Sequence, residues 1–266
     1  MNLSTRACTL FSGSSGNSIF IGKEKSGILV DIGVSCKRLE ENLKRQKISP
    51  YVIKGILITH EHSDHIAGVS VFARKYKIPV YANELTIRKA KTLMKSSELI
   101  DFRKINVGEI FEIDKFTCKA IQVSHDAISP VAYKVDTGDS IISVVTDTGI
   151  LSDYMIKELM GSDLIFLEAN YDVDMLWNGP YTWPLKKRVN SHYGHLSNEQ
   201  TTIAASELIK SGTRRIVLIH LSKNNNTPNL AYEYINSYLS DLGLVNGEDY
   251  SLTIAPRYEP SLWQMF

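Results

Sequence analysis

Hydrophobic positions in this chain come in short runs broken by Gly, Ser, Pro and charged residues, a pattern of many brief strands with helices between them. Apolar, β-branched runs predict strands over Leu3 to Leu10, Ser18 to Ile21, Gly27 to Asp31 and Gly55 to Thr59. A short strand is predicted at Val80 to Ala82, after Pro79. Further strands are predicted at Phe116 to Val123, Val131 to Val135, Ser140 to Thr146, Leu164 to Leu167, Arg215 to Ile219 and Leu252 to Ala255. Helical patterns cover Lys37 to Lys47, residues 66–75 and 84–95, Asp153 to Met160 behind Ser152 as N-cap, and Leu230 to Leu242. Ser197 opens another helix to about Lys210, with Gln200 completing a capping box. Residues 172–194 carry Trp177, Pro180, Trp183 and Pro184 and read as an irregular excursion. Strands, helices, strands, helices in two similar halves predict an α/β (α+β) sandwich of two sheets with helices outside, over one domain spanning 1–266.

Composition narrows the class. A chain of 266 residues with 43% hydrophobic and 22% charged content is ordinary for a globular protein. It has no apolar stretch of ~18 residues and no basic-then-apolar leader, so neither a membrane helix nor a signal peptide is expected. The three cysteines, Cys8, Cys36 and Cys118, are far apart and form no CxxC pair, which fits reduced thiols in the cytoplasm. Net charge is +1, so polyanion binding would come from local clusters such as Lys186-Lys187-Arg188.

The chemistry concentrates at strand ends. The strand ending at Thr59 runs into His60-Glu61-His62-Ser63-Asp64-His65. Imidazoles and a carboxylate left unpaired in an apolar core would cost several kcal/mol, and a divalent cation satisfies them together. His125, Asp147 and His220 each follow another apolar strand. Strand ends gathered on one edge put such residues on a rigid frame where loops begin. A lone histidine at a strand end is commonly structural; the joint pattern predicts a two-metal site. Imidazole with carboxylate suits zinc and also admits manganese or iron. Two cations ~3.5–4 Å apart can deprotonate a bridging water and clamp a phosphate or ester oxygen.

With Asp31, His60 to His65, His125, Asp147 and His220 in that order, the sequence resembles the metallo-β-lactamase-fold hydrolases. The resemblance implies an αββα four-layer sandwich. It implies that His60, His62 and His125 hold one metal, that Asp64, His65 and His220 hold the second, and that Asp147 bridges them. Asp31 would either hold one of these ligands in place or be an ordinary turn aspartate.

Three further segments resemble the narrower YycJ/WalJ subgroup: Ser12-Gly13-Ser14-Ser15-Gly16-Asn17, the stretch from Gly179 to Asn198, and His220-Leu221-Ser222 with Asn224 to Pro228. That resemblance implies a metal-dependent 5′-to-3′ DNA exonuclease with Asp64 and His195 catalytic, His195 protonating the leaving oxygen or holding the scissile phosphate. The Ser/Gly turn, with Ser12, Ser15 and Asn17, is either a phosphate cradle or a flexible hairpin turn. Arg188, and Ser197 with Asn198 at a helix N-terminus, are the other candidate substrate contacts. Lys186, Lys187 and Arg188 beside Trp177 and Trp183 suit a nucleic-acid strand, although core packing of both tryptophans is the simpler reading. His192 reads as exposed. A small-molecule phosphodiesterase or a thioester or lactone hydrolase is the alternative, since this fold does not choose its substrate.

Overall fold

The computed structural model describes residues 5–266. Its first sheet contains β1 (Arg6–Phe11), β2 (Ser18–Lys23), β3 (Ser26–Val30), β4 (Ile53–Leu57), β5 (Val80–Asn83) and β6 (Phe102–Ile105). The second contains β7 (Ile110–Ile113), β8 (Phe116–Gln122), β9 (Val131–Asp136), β10 (Ile141–Val145), β11 (Leu164–Glu168), β12 (Arg215–Ile219) and β13 (Ser251–Ile254). β14 (Gln264–Met265) returns to the first sheet, pairing antiparallel with β1. The sheet orders are β14-β1-β2-β3-β4-β5-β6 and β13-β12-β11-β10-β9-β8-β7. The helices are α1 (Cys36–Arg45), α2 (Ser63–Ile66), α3 (Val69–Tyr76), α4 (Glu84–Leu93), α5 (Asp153–Leu159), α6 (Val173–Asn178), α7 (Trp183–Val189), α8 (Asn198–Lys210) and α9 (Pro228–Asp241).

Alternation along the strands creates the layers. Ile28 and Val30 point between the sheets and meet Tyr133, Val144, Phe166 and Val217 from the opposite one. Leu29, Leu10 and Ile56 point the other way, into a core shared with Leu39, Phe72 and Ile87 of the helices. On the far side Ile165, Leu167 and Leu218 pack on Ile156, Leu208 and Ile235. Helices, sheet, sheet, helices is the αββα order. The Tyr133 hydroxyl crosses between the sheets and donates to the Ile58 carbonyl at 2.8 Å.

Most predicted elements form, with instructive departures. The predicted helix at 66–75 is divided into α2 and α3 around Gly68, where a Cβ would meet the Val34 carbonyl oxygen at 2.1 Å. The excursion at 172–194 is not irregular. Asp172 caps α6 by accepting from the Met175 N–H, and Pro184 sits in the first turn of α7. β6 and β7, Phe-Arg-Lys-Ile and Ile-Phe-Glu-Ile, were hidden by charged residues that solvent-facing edge positions tolerate. The start of the first predicted strand, at Leu3, lies outside the described residues. Among the described residues no helix is long and apolar enough to cross a membrane.

Candidate metal centre

Strands of both sheets end at one mouth. β3 delivers Asp31, β4 the loop His60 to His65, β8 His125, β10 Asp147, β11 Glu168 and β12 His220. Asp31, Asp147 and His220 take left-handed backbone, with φ of 61°, 52° and 56°. Non-glycine residues reach that region at a cost of order 1–3 kcal/mol, so the fold holds each turn sharply where a side chain must face inward.

The ligand-type atoms converge in overlapping groups. Within each, the candidate atoms lie within 4.8 Å of one another: His60, His62 and His125; His60, His65 and Asp147; Asp64, His65 and His220; and Asp147, Glu168, His195 and His220. Asp147 joins them. Its Oδ2 is 3.1 Å from His65 Nε2, while its Oδ1 is 3.3 Å from His220 Nδ1 and 3.7 Å from His125 Nε2. Asp64 Oδ2 is 3.5 Å from His65 Nε2 and 3.7 Å from His220 Nε2.

The ring atoms facing away from this centre are tied down by the protein. His65 Nδ1 bonds Asp31 Oδ2 at 2.7 Å, and the Thr59 hydroxyl donates to the same carboxylate. Because that hydroxyl's proton is committed, it accepts from His60 Nδ1 at 3.0 Å. His125 Nδ1 donates to the Gly194 carbonyl at 2.8 Å. Such outer bonds fix tautomer and aim the Nε2 atoms of His60, His65 and His125 at the centre, where His60 Nε2 lies 3.1 Å from His62 Nδ1 and His65 Nε2 lies 3.1 Å from Asn17 Nδ2. His220 Nε2 is buried with no hydrogen-bond partner. An orphaned imidazole nitrogen inside a ring of carboxylates fits a divalent cation. Asp31 is therefore the residue that orients His65, rather than an ordinary turn aspartate.

Electrostatics agree. Burial would lower the His65 pKa, but Asp147, Asp31 and Asp64 outweigh it and hold it well above the usual histidine value. Burial would raise the Asp64 and Asp147 carboxyls, yet the surrounding histidines hold both well below the carboxylate range. His60, buried among other histidines, is pushed well down and stays a neutral donor. These opposed pulls in one cavity are what a cation would resolve.

Glu168 was missed by sequence reading. It is fully buried and accepts from His195 Nδ1 at 2.8 Å, His220 Nδ1 at 2.9 Å and the Thr148 N–H at 3.0 Å. The available signal was the same as elsewhere: a ligand-type residue ending an apolar strand, Leu-Ile-Phe-Leu-Glu.

The pocket over this centre holds about 220 Å³ and is walled by Ser14, Asn170, Tyr181, Leu185, Arg188 and Ser222, with His195 among the histidines. Arg188 pairs with Asp126 beside it. Five expected substrate contacts lie outside that lining. The buried Ser12 hydroxyl accepts from the His220 N–H, and Asn17 bonds His65 and the Gly13 N–H. Ser15 is exposed on the turn, where its neighbour Ser14 takes the pocket position. The Ser197 hydroxyl caps α8, and Asn198 bonds Asn226, so that helix end is satisfied internally. His192 is exposed and outside the cluster. A second support comes from beyond β13: Arg257 Nη2 donates to the Leu221 carbonyl at 2.6 Å, next to His220, and the Arg257 carbonyl accepts from the Ser12 N–H at 3.3 Å.

The family model described as the beta-lactamase superfamily domain matches residues 27–221. The chain belongs to the β-lactamase superfamily. Within the superfamily it falls in the YycJ/WalJ branch. Exodeoxyribonuclease YycJ of Bacillus anthracis is 37% identical over 243 residues, covering 91% of this chain and 92% of that protein. Exodeoxyribonuclease WalJ of Streptococcus pneumoniae serotype 2 strain D39 is 39% identical over 249 residues, covering 91% of each. Among solved structures, the metallo-beta-lactamase fold protein YhfI from Bacillus subtilis superposes with a TM-score of 0.74 at 16% identity, over 97% of this chain and 99% of that one. This superfamily member is a hydrolase. Its fold carries divalent-metal binding with it, and the four groups above are the candidate ligands.

Proposed function

We propose that the protein is a two-metal phosphodiesterase that degrades DNA from the 5′ end towards the 3′ end. The observation that carries this is the sharing of Asp147 between a histidine group around His60, His62 and His125 and a mixed group of Asp64, His65 and His220. The relatives named exodeoxyribonuclease, similar over nine-tenths of the chain, favour DNA among phosphodiesters. Zinc, manganese or iron at these ligands would supply Lewis acidity and neutralise phosphate charge.

The chain's own residues do the rest. Arg188 offers a planar donor fork to a phosphate at the pocket wall, exchanging it for Asp126. Asp64, ionised across the working pH range, accepts a hydrogen bond from the attacking water and orients it. His195, held through its Nδ1–H by Glu168, gives the departing oxygen the Nε2 proton of its imidazolium form and is left as the neutral Nδ1–H ring. Tyr181, Leu185 and Val189 supply an apolar wall that limits bulk water.

Digestion of end-labelled DNA with manganese present tests this reading. The expected result is progressive loss of nucleotides from the 5′ end, abolished in Asp64→Ala and His65→Ala. Retained hydrolysis in those variants overturns the mechanism. The small pocket also suits a small phosphodiester; turnover of bis(p-nitrophenyl) phosphate with intact DNA would favour that second reading.

A further inference from the structure

Helix α7 has two chemically different sides. Leu185, Arg188 and Val189 line the pocket. Trp183, at the start of the same helix, does not, and is 60% exposed. Its ring nonetheless has an aromatic neighbour. Trp177 packs against it with centroids 5.2 Å apart and planes inclined by 48°. Lys186 Nζ donates to the Trp177 carbonyl at 2.7 Å, and Pro184 stiffens the turn beneath. Lys187 Nζ lies 5.2 Å from the centre of the Trp183 ring. Lys187 is exposed, and among the described residues no carboxylate forms an ion pair with it. A solvent-facing indole beside a free ammonium, on the helix that walls the pocket, is the combination that binds single-stranded nucleic acid: a face for a base and a charge for its phosphate.

We propose that Trp183 is a stacking platform for an unpaired base of the substrate strand, with Lys187 turning from the indole to the adjacent phosphate. This rests on the DNA-hydrolase reading above. Trp183 and Arg188 are five positions apart, about 7.5 Å along a helix axis at 1.5 Å per residue. Trp183 also stands outside the pocket lining that holds Arg188, so the stacked base belongs to a nucleotide beyond the one in the pocket. A substrate of one nucleotide ends before reaching the platform.

Two substrates separate the roles: a short single-stranded oligodeoxynucleotide, and thymidine 5′-(p-nitrophenyl phosphate). In Trp183→Ala, KM for the oligonucleotide is expected to rise roughly 5- to 100-fold, the range of one base–aromatic stack. The p-nitrophenyl ester should be hydrolysed as by the parent protein. Trp183→Phe should restore most of the oligonucleotide KM. An abasic residue scanned along the oligonucleotide should reproduce the loss at one position in the parent and add nothing in Trp183→Ala. Tyr51→Ala, removing an exposed aromatic before β4, should change neither substrate. An unchanged oligonucleotide KM overturns the platform. So does an equal loss on both substrates, which would mean that Trp183 only packs α7. Hydrolysis of the ester with no cleavage of any oligonucleotide by the parent protein would overturn the DNA reading itself, and the platform with it.

Discussion

Glu168 sits between two histidines with different tasks. Its Oε1 takes both His195 Nδ1 and His220 Nδ1, while Oε2 faces the Thr148 and Leu196 N–H groups. All four partners present hydrogen, so the site needs a carboxylate and an amide would place at least one N–H against another. Glu168→Gln is therefore expected to disturb His220 as well as His195, lowering metal content together with kcat. His195→Ala removes only the proton donor. It should slow hydrolysis roughly 10²–10⁴-fold with metal content unchanged, read by elemental analysis beside steady-state rates. Metal loss in His195→Ala would instead make that imidazole a ligand.

At the scale of elements, chain ends of strands and caps of helices decide what each polar residue is free to do. Ser197 illustrates the point. Its hydroxyl and the Gln200 side chain close a capping box at the start of α8. Ser197→Ala should cost about 1 kcal/mol. In a chain of this size that lowers the melting temperature by about 2–4 °C. KM should stay the same; a raised KM would return that helix end to the substrate site. The sequence was legible where apolar runs stop at His60, His125, Asp147 and His220, because strand period and ligand chemistry coincide there. The YycJ/WalJ resemblance was legible too. Motif reading could not separate Ser14, which lines the pocket, from Ser12 and Asn17, whose polar atoms serve the loops behind it. Nor could it show that Trp183 faces solvent, because α6 is set by its Asp172 cap and α7 by Pro184 in its first turn, neither by hydrophobic periodicity.

Across the whole molecule, the mouth draws from both sheets and gathers all the histidines except His192. Net charge is only +1, yet Asp31, Asp64, Asp147 and Glu168 are brought together under it. Each cation that binds only the folded protein at 100 times its dissociation constant adds about 2.7 kcal/mol. Exhaustive chelation should then lower the melting temperature by roughly 5–10 °C for each cation removed, measured by scanning calorimetry with and without added manganese. No shift on chelation would mean that the sheets are held in register without a cation.

The clasp at Arg257 is the last support of the site to be synthesised. A growing polypeptide reaches His220 with every proposed ligand already made, but the guanidinium that grips the Leu221 carbonyl comes 36 residues after Leu221. β14, which closes the first sheet against β1, follows later still. A chain still on the ribosome thus carries the full ligand set without its last fastening. The backbone next to His220 is thus fastened by a part of the chain made after all the candidate ligands.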